Sequence, residues 1–385
     1  MSMNILLTSW FSTYFKWTLV TIYHKKTYFY HNYHHIYKMS SKATIRQIAK
    51  LANVSIATVD RVLHNRGYVS SLTRELIEKI MLDLDYIPNT YARNLSLNKT
   101  FKIAVLLPAS KDGDYWSYPL LGAKKAIKDF KMFGIQMNPY FYNQNKKKSF
   151  LSVSKKVFND SNDAVIFSTL LHKESAVFIK ECNTRKIPFV LLGSNEIGNG
   201  ALVNIGQNSF HGGRLSAELL DISNKKSNRN YLIINLLKAN NPNYRIIDRI
   251  NGFKSYFTKL KNRQVSIETI TINDDDLNLI KIVKSKINTT NELQGIFIPN
   301  SKSHLIEKAF PKDQTIPIIG YDLLEKNKDL MKLGKLHFLI NQQPVEQAYK
   351  GIEILYKYLV LKESPNELID IQLDIVTREK LMYYK

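Results

Sequence analysis

Cysteine is almost absent from this chain of 385 residues: Cys182 stands alone. No intramolecular disulfide can form, and a zinc site built on several cysteines is excluded. A reducing compartment fits that usage. Cys182 also falls in an amphipathic helical stretch beside Glu181, with no neighbour to activate it as a nucleophile. The usual catalytic signatures are missing as well. There is no G-x-x-x-x-G-K-[ST] phosphate loop, no G-x-G-x-x-G opening a helix, no H-E-x-x-H and no G-x-S-x-G elbow. Asp274-Asp275-Asp276 follows Asn273 and reads as a solvated loop, not a metal site. The expectation is a protein that is not an enzyme and holds no cofactor and no metal.

Acidic residues are wholly missing from the first 38 positions, which carry four of the nine histidines, His24, His31, His34 and His35. The apolar stretch over 5–20 is broken by Ser, Thr, Tyr and Lys16. It is short for a membrane span and lacks the charged start and small-residue cleavage site of a signal peptide. Met39-Ser40-Ser41-Lys42 looks like a natural protein start. Residues 1–38 are therefore expected to be a non-native extension or disordered, the rival reading being a membrane anchor.

Basic residues, by contrast, are abundant: 55 Lys and Arg against 33 Asp and Glu, a formal charge of +22. That balance suits a polyanionic partner. It is weak support, because lysine clusters such as Lys146-Lys147-Lys148 and Lys225-Lys226 are spread along the chain.

The organising stretch is 44–63, TIRQIAKLANVSIATVDRVL. Ile45, Ile48 and Ala49 have the spacing of one helix face, and so do Thr58, Val59 and Val62. Thr44 and Ser55 precede the two runs and can cap them. Residues 51–54 leave room only for a tight turn, and the small Ala49 and Ala52 allow close approach. Two short helices so joined make a helix-turn-helix. In the second helix Ile56, Ala57, Asp60 and Arg61 are left facing outward, where side chains of a major-groove helix meet base edges. A third helix is expected over 71–85, capped by Ser70, with Leu72, Leu76, Ile77, Ile80 and Leu84 as its buried stripe. Pro88 ends it.

The run VSIATVDRVLHNRGYVSSLTRELIEKIMLDLDYIPNTYARNLSLNKT resembles the DNA-binding headpiece of the LacI family of bacterial transcription regulators. The match is ungapped from Thr44 to about Thr100 and includes the VSxxTVxRVLxN core and the Y-x-PN-xxAxxL hinge. The resemblance implies that 89–100 forms a hinge helix and linker that orders on DNA, with Leu95 as an apolar minor-groove wedge. The residues it marks for DNA are Thr44, Ser55, Ile56, Ala57, Thr58, Asp60, Arg61, His64, Asn65, Tyr68, Asn89, Ala92, Arg93 and Leu95. Asp60 departs from the family's usual Ser. A carboxylate there repels a nearby phosphate or accepts from cytosine N4, so no operator sequence transfers from the family.

Beyond Phe101 the pattern changes to alternating strands and helices. Strands are expected at 102–108, 164–167, 189–192, 231–236, 295–298 and 316–320. Helices are expected at 119–133, 174–185, 210–222, 246–260 and 302–310, the first with Leu121, Ala126, Ile127 and Phe130 turned inward. Such alternation predicts a doubly wound α/β region with parallel sheets, binding ligands at the carboxyl ends of its strands. The region also resembles the two-lobed fold shared by LacI-family regulators and periplasmic binding proteins. Its landmarks are Tyr115-Trp116, Asn208, Arg249-Ile-Asn-Gly252-Phe, Gly320-Tyr-Asp322 and Asn341-Gln-Gln-Pro344. The resemblance implies a headpiece over 39–88 and a ligand-binding domain over 101–385. Lobe 1 would span 101–225 and 344–361, lobe 2 231–342 and 369–385.

A cleft between lobes suits a small polar ligand such as a sugar, which needs an aromatic face and fixed hydrogen-bonding groups. Tyr115 and Trp116 can supply the face, Arg249 a five-donor fork and Asp322 an acceptor pair. Ser168, Asn195 and Asn300 follow strand ends, and Asn208 matches a family position that is often Asp. The whole reads as a ligand-responsive, sequence-specific repressor, with double-stranded DNA at a palindromic operator, a sugar effector and a second copy of itself as partners. It is expected in the cytoplasm on the nucleoid, with no membrane partner. The alternative is a membrane-anchored or exported sugar-binding protein of a transport system.

Overall fold

The computed structural model describes residues 43–63, 67–84, 86, 99–193, 199–224, 229–238, 243–258, 264–311, 316–365 and 368–384. These fall into two compact units, divided after residue 89. Several expectations lie outside the described residues: the 1–38 extension, His64 and Asn65, the hinge with Asn89, Ala92, Arg93 and Leu95, and Asn195.

The first unit holds α1 (Ile45–Leu51), α2 (Ile56–Leu63) and α3 (Ser71–Asp83). Its core is Ile48, Ala49, Ala52, Val59, Val62, Ile77 and Tyr86. The α1–α2 turn is made by Asn53, which takes a left-handed backbone with φ 51°, a conformation Asn adopts more readily than most residues. The expected stripe on α3 is mostly not buried. Ile77 is enclosed and Ile80 packs beside it, but Leu72 is 79% exposed and Leu76 and Leu84 also face solvent. The α1–α2 pair covers only a narrow strip of α3, so periodicity overstated what three short helices can bury.

The second unit contains two six-stranded sheets of matching design. The first runs β2 (Ile135–Tyr142), β1 (Phe101–Pro108), β3 (Ala164–Ser168), β4 (Phe189–Leu192), β5 (Val203–Gly206), β11 (Leu368–Asp370). The second runs β7 (Val265–Asn273), β6 (Arg229–Leu237), β8 (Gly295–Phe297), β9 (Ile318–Tyr321), β10 (Phe338–Asn341), β12 (Asp374–Val376). All pairings are parallel except β10 with β12. Central strands such as β1 and β3 are almost continuously apolar, as strands covered on both faces must be.

Helices cover both faces of each sheet. In lobe 1, α4 (Ser117–Phe130) and α11 (Pro344–Tyr356) close one face, and α5 (Lys147–Asn159) and α6 (His172–Thr184) the other. Leu121 is not inward as expected: it is 45% exposed. The buried face of α4 is instead Gly122, Ala123 and Ala126. A Cβ at Gly122 would stand 2.0 Å from the Val345 carbonyl oxygen of α11. Only small residues permit that approach. In lobe 2, α7 (Ser209–Ile222) and α8 (Tyr244–Thr258) pack together on one face, while α9 (Leu279–Thr289) lies in the core of the other. A short α10 (Glu325–Lys332) completes that side, and the expected 302–310 helix is a run of 3-10 turns, Ser303–Ala309.

The lobe limits differ from the expectation. Helix α7 belongs to lobe 2, because Ala217, Leu219 and Leu220 pack with Tyr231 and Ile233 of β6. The first crossing thus comes after β5, near 206–209, and not at 225. Strand β11 pairs with β5 in the first sheet, Leu368 opposite Asn204, so lobe 2 resumes after Ile371 and not at 369. Among the described residues no helix is long and apolar enough to cross a membrane.

Candidate functional site

In the headpiece, capping fixes the position of each helix. Thr44 Oγ1 accepts from the Gln47 amide at 3.3 Å, and Gln47 Oε1 accepts from the Thr44 amide at 2.8 Å. This reciprocal box satisfies two amides that the helix leaves unpaired. Ser55 Oγ accepts from the Thr58 amide at 3.1 Å and contacts Thr58 Oγ1 at 2.9 Å. With Val59 and Val62 buried, α2 presents Ile56, Ala57 and Arg61 to solvent. Thr58 and Asp60 are half-buried, and Tyr68, past the described end of α2, is 92% exposed. Thr44 and Ser55 thus have structural work whatever else they contact.

In the second unit, the ends of the parallel strands from both lobes converge on a cleft of about 350 Å³. It lies at the carboxyl edges of both sheets, where open α/β sheets place their ligands. Of the residues marked in sequence, Tyr115, Trp116, Arg249, Asn300 and Asp322 line it. Two do not. Ser168 ends β3 but is fully enclosed, so its hydroxyl is sealed from the cleft. Asn208 is the cap of α7, its Oδ1 accepting from the His211 amide at 3.0 Å, and it faces a separate chamber.

Three buried groups form the polar centre. Gln342, directly after β10, donates through Nε2 to both oxygens of Asp322 at 2.9 Å. Its Oε1 accepts from Arg249 Nη2 at 2.5 Å and from Gln207 Nε2 at 3.4 Å. Arg249 Nη1 donates to the Pro299 carbonyl at 2.8 Å, and the guanidinium lies 3.9 Å over the Tyr321 ring. Asp322 has φ 64°, a left-handed conformation that turns the chain sharply after β9. Burial raises the Asp322 carboxyl to about 6, with Arg249 and the Gln342 bonds pulling the other way. Burial also raises the Tyr115 hydroxyl, Asp322 adding to the effect, so the phenol stays a donor at neutral pH. Tyr115 and Trp116 meet edge to face, ring centroids 5.0 Å apart. Asn300 uses its amide locally, Nδ2 to the Leu236 carbonyl at 3.1 Å and Oδ1 to the Lys302 amide at 3.1 Å. It shapes the wall.

Several lining residues were not marked as ligand contacts in sequence. Gln342 follows a strand end just as Asp322 and Asn300 do, so the same signal pointed to it. Asp274, read as part of a solvated loop, pairs with Lys302 at 2.7 Å on the cleft wall. Burial lowers the Lys302 ammonium, with Asp274 opposing. Arg245 stands four residues before Arg249, hence on the same face of α8.

The geometry is matched by what the chain is similar to. A family model for the periplasmic binding protein domain matches residues 103–363. One for bacterial regulatory proteins of the lacI family matches residues 44–89. The ribose operon repressor of Lactococcus lactis subsp. lactis is 27% identical over 350 residues, 88% of this chain and 98% of the relative. Catabolite control protein B of Bacillus subtilis is 48% identical over 68 residues, 18% of this chain and 22% of that relative. A crystal structure from Bacteroides fragilis, proposed to be a LacI transcriptional regulator, superposes with a TM-score of 0.69 at 24% identity, covering 74% of this chain and 100% of the other.

Proposed function

The chain belongs to the lacI family of bacterial regulatory proteins, joining that family's DNA-binding domain to a periplasmic binding protein domain, and we propose that it is a repressor whose hold on its operator is set by a sugar in the interlobe cleft. The observation that carries the reading is the pairing, in one chain, of an outward Ile56–Ala57–Arg61 face on a capped helix with a cleft built around Arg249, Gln342 and Asp322. The outward face suits base edges in a major groove, with Arg61 the long donor. The cleft offers the aromatic face, fork and acceptor that a polyhydroxyl ring requires. An exported binding protein has no use for such a headpiece, which argues against the transport reading.

One headpiece makes few base contacts. Two copies related by a two-fold axis double them on a palindromic site, so the acting form is a homodimer on double-stranded DNA in the cytoplasm. The sugar acts by binding one arrangement of the two lobes better than another, since only differential affinity shifts a population. Gln342 is placed for this role: it touches Asp322 and Arg249 in the cleft and lies at a crossing between lobes, next to Gln207 at another.

Footprinting of the full chain tests the reading. Arg61→Ala is expected to lose site-specific protection while unfolding at an unchanged temperature. Arg249→Ala should keep the footprint and lose its response to sugars. Unchanged protection by Arg61→Ala contradicts the assignment of the reading helix.

A further inference from the structure

The side chain of Arg245 leaves its own lobe. From the first turn of α8, where its amide is held by Asn243 Oδ1 at 3.0 Å, it reaches the strand ends of lobe 1. There Nη2 donates to the Leu192 carbonyl oxygen at 3.2 Å and to Thr169 Oγ1 at 3.4 Å. The residue after Leu192 is Gly193, with φ 69°. A Cβ at that position would stand 2.7 Å from Arg245 Nη1 and 2.8 Å from its Cζ. The guanidinium therefore rests on bare backbone, in space that any side chain at 193 would take.

This contact divides the interlobe space. On one side lies the cleft of about 350 Å³ with Asp322 and Arg249. Adjoining it is a chamber of about 300 Å³, lined among others by His172, Gln207, Asn208, Tyr244 and Asp248. Among the described residues Arg245, Asn243 and Leu170 alone line both, so they form the wall between them. Arg245 is the member of that wall that spans from one lobe to the other. The first cavity alone is at the bottom of the range for small-molecule sites, roughly 300–1,000 Å³. The two together reach the middle of it. The second chamber is not inert space: it offers the Tyr244 ring, tilted on His172 at 5.4 Å, beside the Asp248 carboxylate.

We propose that Arg245 is a specificity-determining partition, which limits the cleft to ligands of one sugar ring by closing it off from the second chamber. The inference rests on the reading of the cleft as a sugar site and adds the size class of what enters it. Both bonds leave one nitrogen, Nη2, for neutral acceptors at the ends of two neighbouring strands, so a lysine ammonium can keep part of this anchoring while an alanine keeps none. With the side chain shortened, the second chamber becomes room for a second ring.

The test is calorimetric titration of full-length wild type, Arg245→Lys and Arg245→Ala with a panel of pentoses and hexoses and with sucrose, maltose and lactose. Wild type is expected to bind one or more monosaccharides and no disaccharide. Arg245→Ala should gain at least tenfold in affinity for a disaccharide relative to the best monosaccharide, and Arg245→Lys should retain much of the exclusion. Wild type binding disaccharides as tightly as monosaccharides, or an unchanged size profile in Arg245→Ala, overturns the partition. A wild type that binds no sugar overturns the sugar reading instead. The partition is then decided by crystal structures of the ligand-free proteins: two chambers in wild type and one in Arg245→Ala support it, and an Arg245 side chain turned to solvent in wild type overturns it.

Discussion

The two lobes share a strand order, 2-1-3-4-5 with a sixth strand at the same edge, yet they contribute different chemistry to the cleft between them. Lobe 1 brings mainly apolar and neutral groups, chiefly Tyr115 and Trp116, with Gln144 and Asn145 beyond β2, and the carboxylate it adds there, Asp114, is exposed to solvent. Lobe 2 brings the buried charges Arg249 and Asp322 and the half-buried Lys302–Asp274 pair. A common fold thus fixes where strand ends converge, while the residues just past those ends decide what each wall can do. The binding energy should divide accordingly. Lobe 2 orients and discriminates, and lobe 1 supplies a face to pack on.

The strongest way to break this contrast is Arg249→Ala. It strips the Pro299 carbonyl of its guanidinium donor, leaves Gln342 Oε1 with only the longer bond from Gln207, and leaves the buried Asp322 without its nearby cation. Uncompensated buried charge costs about 3–5 kcal/mol, which denaturant unfolding at neutral pH should show as a lowered midpoint. The Asp322 carboxyl should rise further above 6, followed by pH titration of the folded variant.

Asp322 gives the next effect, through pH. Its carboxyl stands at about 6 in the folded chain against 3.8 ordinarily. As pH rises across that window, the unfolded chain releases its proton first and the folded state is the one disfavoured. This residue's contribution to stability is therefore full below about pH 4, falls by about 3 kcal/mol on the way to pH 6, and is flat above. Unfolding measured from pH 4 to 7 should show that slope in wild type minus Asp322→Asn. A flat difference would place Asp322 in a more solvated setting.

A third comparison uses matched glycines. Gly122 of lobe 1 and Gly213 of lobe 2 each face a helix backbone so closely that a Cβ would stand 2.0 Å from the Val345 oxygen or 1.9 Å from the Arg249 oxygen. Both Gly→Ala variants should lose about 1–3 kcal/mol of stability by overpacking. Only Gly213→Ala should also weaken sugar binding, because the backbone it displaces carries Arg249. Equal effects on binding would erase the asymmetry between lobes. The smallest effect is expected from Trp116→Ala, about 1 kcal/mol or several-fold in sugar affinity, as for the loss of one aromatic face, with DNA binding unaltered.

The sequence was legible where local chemistry repeats. Capping residues and small turn residues marked the helix-turn-helix, and apolar runs marked β1, β3, β4, β6, β8 and β9 to within two residues, Phe189–Leu192 among them, whereas the short inner strands β5 and β10, each carrying an asparagine, were not marked. Edge strands were harder: β2 and β7 are half-exposed, so their apolar signal is diluted. Burial on α3 and α4 was misjudged because periodicity says which side faces inward, not how much partner surface exists there. In the cleft, Arg249 and Asp322 were found from the resemblance and from strand-end position. Gln342 lay within a landmark run, but its role comes from partners 20 and 93 residues away, and Arg245 acts through Leu192, 53 residues away. Ser168 shows the converse: a strand-end position alone does not decide whether a hydroxyl reaches the cleft.

Sugar-controlled DNA recognition is tested most directly by selection of fragments from the protein's own genome by the full-length chain at moderate salt, with and without a panel of monosaccharides. Enrichment of a few palindromic sites over random DNA is expected, with a change in that enrichment by at least one sugar that Arg249→Ala abolishes. Equal retention of all fragments, indifferent to every sugar, would contradict it.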